Sequence, residues 1–344
     1  MGRVDRILII GANGFIGHHL SKRLIADPNF HVTAIDLNSD RLQDISNHKN
    51  FIFKQGDILK NDGWIAREVA LSDVVIPLVA IASPLMYIKQ PLKVFELDFE
   101  ANLPIVRECV SQKKHLIFPS TSEVYGMSSD LEFDPDTTNL VTGPIQMQRW
   151  IYSTCKQLMD RIIYAYGESE GLNYTLFRPF NWFGPGLDSI DTPREGGSRV
   201  VTNFIGSILR GEEIKLVNGG SQRRAFTYIE DGIDALIQII KKRSETANRQ
   251  IFNIGNPVND YSISHLAHLI LELSLEHPLL KERASKVDII SEDQSVFYGT
   301  GYQDVMSRNP KIVNTSVLLN WNPKVQLRDG LKLTLEHYAL VEGV

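Results

Sequence analysis

The chain has 344 residues, 43% apolar and 22% charged, with a formal net charge of −5. That length exceeds what one hydrophobic core serves, so a large domain with a smaller lobe is expected, and the ordinary globular composition excludes disorder as the carrier of function. The acidic balance excludes a broad phosphate-backbone footprint and so a nucleic-acid partner, while Cys109 and Cys155, far apart and without ligand spacing, support neither a disulfide framework nor a zinc site and suit a reducing cytoplasm.

Residues 1–10 hold one short apolar run that leads into a glycine turn, with no cleavage pattern behind it. No apolar stretch approaches the length of a membrane span, so a cytoplasmic protein without a membrane partner is expected. Strand-like runs recur at 6–10, 31–36, 51–56, 73–77, 115–120 and 174–178, with helical periodicity over 15–25 and 94–110 between them. Alternation of this kind predicts an α/β fold, a Rossmann-type doubly wound parallel sheet covered on both faces. After Arg178 the pattern loosens into a Gly/Pro/Asp-rich stretch at 184–197, a helix near 200–209 and short strands around Ile214 and Phe226. Residues 1–180 are therefore expected to form the dinucleotide-binding domain and 181–344 mainly a smaller, partly interleaved substrate lobe, with 250–254 free to return to the main sheet.

Behind the first strand stands Gly11-Ala12-Asn13-Gly14-Phe15-Ile16-Gly17, a G-x-x-G-x-x-G turn that opens a helix. Such glycines let backbone N–H groups approach a pyrophosphate at the positive helix end. Asp36 closes the second strand, where a carboxylate accepts hydrogen bonds from an adenosine ribose and repels a 2′-phosphate, so the expected cofactor is NAD; the plainer reading is a cap on the next turn. Asp57 and Ile58, after the third strand, fall where an adenine ring would lie, although a turn aspartate beside a core isoleucine explains them nearly as well.

Tyr152 and Lys156 lie four apart in a segment, 149–166, that reads as helix, which puts both on one face. A neighbouring ammonium favours the phenolate and is expected to bring the tyrosine from a pKa of about 10 toward neutrality, as a general base for alcohol oxidation requires. Just before them the fifth strand delivers Ser120-Thr121-Ser122-Glu123-Val124-Tyr125-Gly126 to a carboxyl edge, where open α/β sheets bind ligands. Hydroxyls there can hold a reacting sugar, and a carboxylate such as Glu123 is costly there unless used or paired. His265 and His268 sit three apart without a third ligand and read as helix surface, and His18 and His19 as packing residues, so no metal is expected.

The glycine turn, the 120–126 run and the Tyr-x-x-x-Lys pair together resemble the extended short-chain dehydrogenase/reductase family that remodels nucleotide sugars. A narrower resemblance lies in the runs 77–82, 119–126, 149–153, 177–182 and 301–304, which are similar to the UDP-glucuronic acid decarboxylases, as in the decarboxylase half of the bifunctional polymyxin-resistance enzyme. That enzyme's formyltransferase half has no counterpart here, and a free-standing decarboxylase is the expectation. The resemblance implies that NAD oxidises UDP-glucuronic acid at C4, that the ketone β to the C5 carboxylate permits loss of CO2, and that protonation gives a UDP-4-keto-pentose. It further implies Glu123 as acid/base, Thr121 and Ser122 as sugar contacts, Arg308 as proton donor, and Ala82, Tyr87, Arg149, Asn181, Tyr302 and the 215–224 stretch with Lys215, Arg223 and Arg224 as substrate contacts. An arginine with a pKa above about 12 is a poor acid, so Arg308 better suits gripping the carboxylate and stabilising the enolate, with water delivering the proton. From the residues alone, Arg308 reads as a loop charge, Arg223 and Arg224 as edge-strand charges, and Asn181 as a brace before Gly184-Pro185.

Relatives dimerise through two helices, here those from Val94 and from Tyr152, which implies a homodimer. Left open are reduction of the ketone to UDP-xylose before release, the apiose synthases, which carry cysteine where this chain has Ser122, a 4-epimerase or 4,6-dehydratase, and a non-catalytic NAD-binding sensor.

Overall fold

Buried apolar runs dictate the framework, and a computed structural model describes it for residues 4–190, 198–299 and 301–341. Part of the Gly/Pro/Asp-rich stretch expected at 184–197 lies outside the described residues. The strands β1 (Asp5–Ile10), β2 (Phe30–Asp36), β3 (Phe51–Gln55), β4 (Val74–Pro77), β5 (His115–Pro119) and β6 (Tyr174–Pro179) form within a residue or so of the expected runs. With Gln250–Ile254 they build a seven-stranded parallel sheet in the order Gln250–Ile254, β6, β5, β4, β1, β2, β3. Strand residues Ile7 to Ile10, Val74 to Ile76 and Leu116 to Phe118 are all fully buried, as strands covered on both faces must be. Period-two alternation then splits them: Ile7 and Ile9 join one core with Leu20 and Leu24, while Leu8 and Ile10 join the opposite core with Val106 and Met159.

Trp150–Glu170 runs as one helix and ends at Gly171, whose φ of +74° gives the left-handed stop that glycine adopts without strain. The periodic segment 94–110 is less regular than expected. Pro91–Phe95 passes into a π turn at Glu96–Glu100, marked by the Ala101 N–H to Glu96 carbonyl bond of 2.8 Å, and the helix resumes over Asn102–Ser111. The wider turn carries Asp98 and Asn102 to the inner face. There Asp98 accepts the Ile81 N–H at 2.9 Å, and the Asn102 amide donates to the carbonyls of Leu97 (2.9 Å) and Val79 (3.2 Å).

Beyond β6, short strands pair in two-stranded ribbons: Ile214–Val217 with Ile289–Glu292, Arg223–Ala225 with Asp260–Ser262, and Thr227–Tyr228 with Trp182–Phe183. The helix Ile229–Lys242 packs on Phe15–Ile25. Here His19, expected as a packing residue, faces Glu230 at 3.2 Å and the Pro185 carbonyl at 3.1 Å, and His18 faces Asp44 at 3.0 Å. Their partners lie too far along the chain for spacing to reveal. No helix among the described residues is long and apolar enough to cross a membrane.

Candidate active site

The carboxyl ends of the central strands open into a cleft of about 590 Å³, within the range that encloses a small-molecule ligand. At one end it is lined by Gly11, Gly14, Phe15, Ile16 and Gly17. Gly11 sits at φ +96°, and a Cβ there would stand 3.0 Å from the Val79 nitrogen; at Gly17 a Cβ would collide with the Gly11 carbonyl oxygen. The turn therefore admits only glycine at both places, and the first helix opens behind Gly14 with no side chain capping it. Asn13 braces the turn instead of lining the cleft: its N–H donates to Asp36 Oδ2 at 2.8 Å, its amide to Asp40 at 2.9 Å, and its oxygen accepts the Arg41 N–H at 2.9 Å. Asp57 and Ile58 do not line the cleft either. The Asp57 carboxylate takes the Leu59 N–H at 3.0 Å, and Ile58 is buried in the core.

In the middle of the cleft Thr121, Ser122, Tyr152 and Lys156 come together. The Thr121 hydroxyl accepts the Glu123 N–H at 3.2 Å and so fixes the tight turn Ser122–Tyr125. The helix Trp150–Glu170 is tied to the end of β5 twice, by Lys156 Nζ to the Pro119 carbonyl at 2.9 Å and by Ser120 Oγ to Asp160 at 2.7 Å. Asp160 is itself held by Arg178 at 3.0 Å. The Tyr152 ring stacks on Tyr87 with centroids 4.7 Å apart and planes 6° from parallel, and its hydroxyl bonds to Thr121. Contrary to expectation, the Tyr152 phenol is held well above its ordinary range. Burial is the main cause, followed by the charges of Asp98 and Glu123. Lys156 is turned to a carbonyl, and burial pushes its ammonium down while Asp98 and Asp160 oppose that.

The far wall is electrostatic. Glu123 bridges two buried guanidinia, Arg149 at 2.8 Å and Arg308 at 2.9 Å. Burial pushes its carboxyl up, but Arg149, Arg308 and more distantly Arg224 outweigh that and hold it at about 2. Arg149 stands behind the cleft wall: its other nitrogen donates to the Gln303 carbonyl at 3.0 Å and its plane lies over Trp150 and Tyr302. The resemblance implied a substrate contact for Arg149, and here its guanidinium is engaged by Glu123 and the Gln303 carbonyl and does not line the cleft. Arg308, by contrast, lines the cleft, as do Ala82, Tyr87, Asn181, Lys215, Arg224 and Tyr302. Arg224 is pinned by Asp304 at 2.7 Å, and Lys215 by Glu292 at 2.7 Å. Asn181, at φ +40°, both lines the cleft and braces the chain through the Ala225 carbonyl at 3.1 Å. Arg223 is half exposed, paired with Asp260 at 2.9 Å, and does not line the cleft.

Residues 7–255 match the model of the NAD dependent epimerase/dehydratase family. The chain belongs to that family. It is 52% identical to the PbgP3 protein from Burkholderia pseudomallei, over 98% of this chain and 97% of that one, with a TM-score of 0.90. UDP-glucose 4-epimerase from Thermotoga maritima is 23% identical (98% and 99% covered, TM-score 0.80), and UDP-glucuronic acid 4-epimerase from Bacillus cereus, in complex with UDP-glucuronic acid and NAD, is 22% identical (98% and 99% covered, TM-score 0.82). These two share the fold.

NAD is the cofactor of this family, and the residues fit it. The bare glycine turn leaves backbone at the uncapped helix end for a pyrophosphate, and Asp36 closes β2 beside it. Tyr298, stacked on Tyr302 at 3.9 Å, lines the cleft without a signal of its own in the sequence, and Asp304 had only its place in the 301–304 run. Asp98, buried and not part of the cleft lining, left no signal that set it apart from the other acids of the 94–110 segment.

Proposed function

We propose that this family member is a UDP-glucuronic acid decarboxylase that yields a UDP-4-keto-pentose. The observation that supports the reading most is Arg308, buried yet lining the cleft and paired with Glu123 at 2.9 Å beside Thr121 and Ser122. A buried guanidinium at the sugar end suits a substrate that brings its own carboxylate. NAD, when bound, supplies the hydride acceptor for oxidation of the sugar at C4. Tyr152, bonded to Thr121, takes the C4 hydroxyl proton, and Lys156 steadies the neighbouring charge. Once C4 is a ketone, the C5 carboxylate is β to it, and Arg308 holds first the carboxylate and then the enolate left by CO2. Glu123, ionised between its guanidinia, keeps Arg308 aimed and orders the water that protonates C5. Lys215, Arg224, Asn181 and Tyr302 face the nucleotide. The same reading has the chain acting as a homodimer through the helices from Val94 and Tyr152, on which Leu158 and Tyr164 stand exposed.

Turnover of UDP-glucuronate and UDP-glucose, compared at equal concentration with NAD present, tests the substrate. The carboxylate grip predicts a preference for UDP-glucuronate of at least about 100-fold, the worth of a charge-assisted bidentate contact. Equal turnover of UDP-glucose would remove the decarboxylase reading.

A further inference from the structure

Among the buried charges of the described residues that the cleft mechanism does not use, Asp98 lacks a cationic partner in hydrogen-bond contact. Asp98 is wholly inaccessible; one of its oxygens accepts the Ile81 N–H at 2.9 Å, and the other, Oδ2, has no hydrogen-bond partner among the described residues. The side-chain oxygen of Asn102, one turn on, is likewise without a partner. Carboxylates are not left half-solvated in a core without consequence, because each unmet lone pair carries its full desolvation cost. A π turn, itself an irregularity, is what holds Asp98 there, and that turn packs directly on the Trp150–Glu170 helix.

The groups that face Asp98 come from several elements. From the Trp150–Glu170 helix its charge is felt by Lys156, Tyr152 and Cys155, and from Pro84–Lys89 by Tyr87; the charge of Glu123 also acts on Tyr152 and Tyr87. Of these, only Lys156 is a cation acting on the Asp98 carboxyl itself.

We propose that Asp98 is the positioning residue that sets the protonation of the Tyr152–Lys156 pair: ionised, its carboxylate holds Lys156 as an ammonium and opposes a phenolate at Tyr152, and protonated, it withdraws that opposition. One proton taken up by Asp98 offsets the charge of one Tyr152 phenolate, so the buried pair reaches its base form with no net change in charge. Burial brings the Asp98 carboxyl up to about 7, against the pull of Lys156 and the Ile81 N–H, which places the exchange in the working pH range.

The inference rests on Tyr152 as the proton acceptor of the proposed reaction, and its test is first read without turnover. Carboxyl carbons of aspartate, labelled with 13C, are titrated by NMR in the full-length protein without substrate, with the Asp98 signal assigned by its loss in Asp98→Asn. A signal that titrates within about one unit of pH 7 and moves upward by half a unit or more in Lys156→Met is the expected result. A carboxyl titrating in the ordinary range below about 5, or one indifferent to Lys156→Met, overturns the proposal. Asp98→Glu serves for assignment where Asp98→Asn does not fold. In the loaded enzyme, Asp98→Asn is then expected to remove an ionisation near neutrality from the pH profile of first-turnover oxidation, and an unchanged profile overturns the proposal as well. Should CO2 release from UDP-glucuronate be absent while the titration behaves as expected, the decarboxylase reading falls and the electrostatic role of Asp98 stands; the converse pattern removes only that role.

Discussion

Replacing Tyr152 with phenylalanine is expected to lower the rate of UDP-glucuronate-dependent NADH formation by about 10³-fold, within the range that loss of a positioned general base produces. The exchange is a clean one. The ring stacks on Tyr87 at 4.7 Å, and phenylalanine preserves that stack while removing only the oxygen bonded to Thr121. NAD affinity, measured by calorimetry, should be unchanged, because the glycine turn and Asp36 lie in a different part of the fold. The effect is expected to be large because the reading assigns the C4 proton to this hydroxyl alone; burial and the charges of Asp98 and Glu123 hold the phenol protonated in the unliganded protein, so its base form has to be generated in the loaded cleft. Undiminished NADH formation in the variant would remove Tyr152 from the chemistry.

Arg308→Gln is expected to separate the two halves of the reaction. In the proposed reaction, oxidation at C4 draws on Tyr152 and Lys156 and CO2 loss on the charge at Arg308; release of CO2 should therefore fall by about 10²-fold or more, and NADH formation by clearly less. The variant carries a stability signature as well. Glu123, normally at 4.5, is held at about 2 by its guanidinia, a depressed carboxyl. Its stabilisation is therefore present above pH 4.5 and lost as pH falls through the folded-state value. With Arg308 gone and Arg149 left, the folded-state value rises toward the ordinary one, and stability at neutral pH drops by on the order of 1–3 kcal/mol. Thermal unfolding at pH 7 and pH 4 checks this: the deficit of the variant should shrink at the lower pH. Equal loss of oxidation and decarboxylation would instead make Arg308 a residue of general substrate binding.

Much of the framework was legible because its signals are local. Continuous apolar runs mark strands buried on both faces, and the glycine turn announces itself, since Gly11 and Gly17 occupy places where a Cβ has no room. The Tyr152–Lys156 spacing likewise needs only helical periodicity. The less legible features depend on partners far along the chain. Arg149 meets Glu123 across 26 residues and Arg308 meets it across 185, so neither spacing nor composition could show that one guanidinium stands behind the wall while the other faces the cleft. The Tyr152 phenol was misjudged for a related reason: helix spacing shows Lys156, but not that its ammonium is turned to Pro119 or that a π turn brings Asp98 beside the pair.

The central claim is that this cleft removes the sugar carboxylate instead of inverting C4. UDP-glucuronate labelled with 13C at the carboxyl carbon, incubated with the protein and NAD and followed by 13C NMR with mass analysis of the nucleotide, reads that directly. Labelled CO2 and bicarbonate appearing in step with a UDP-pentose lacking one carbon is the result predicted. Label retained in a UDP-hexuronate epimeric at C4 would contradict it and place the chain with the 4-epimerases of its family.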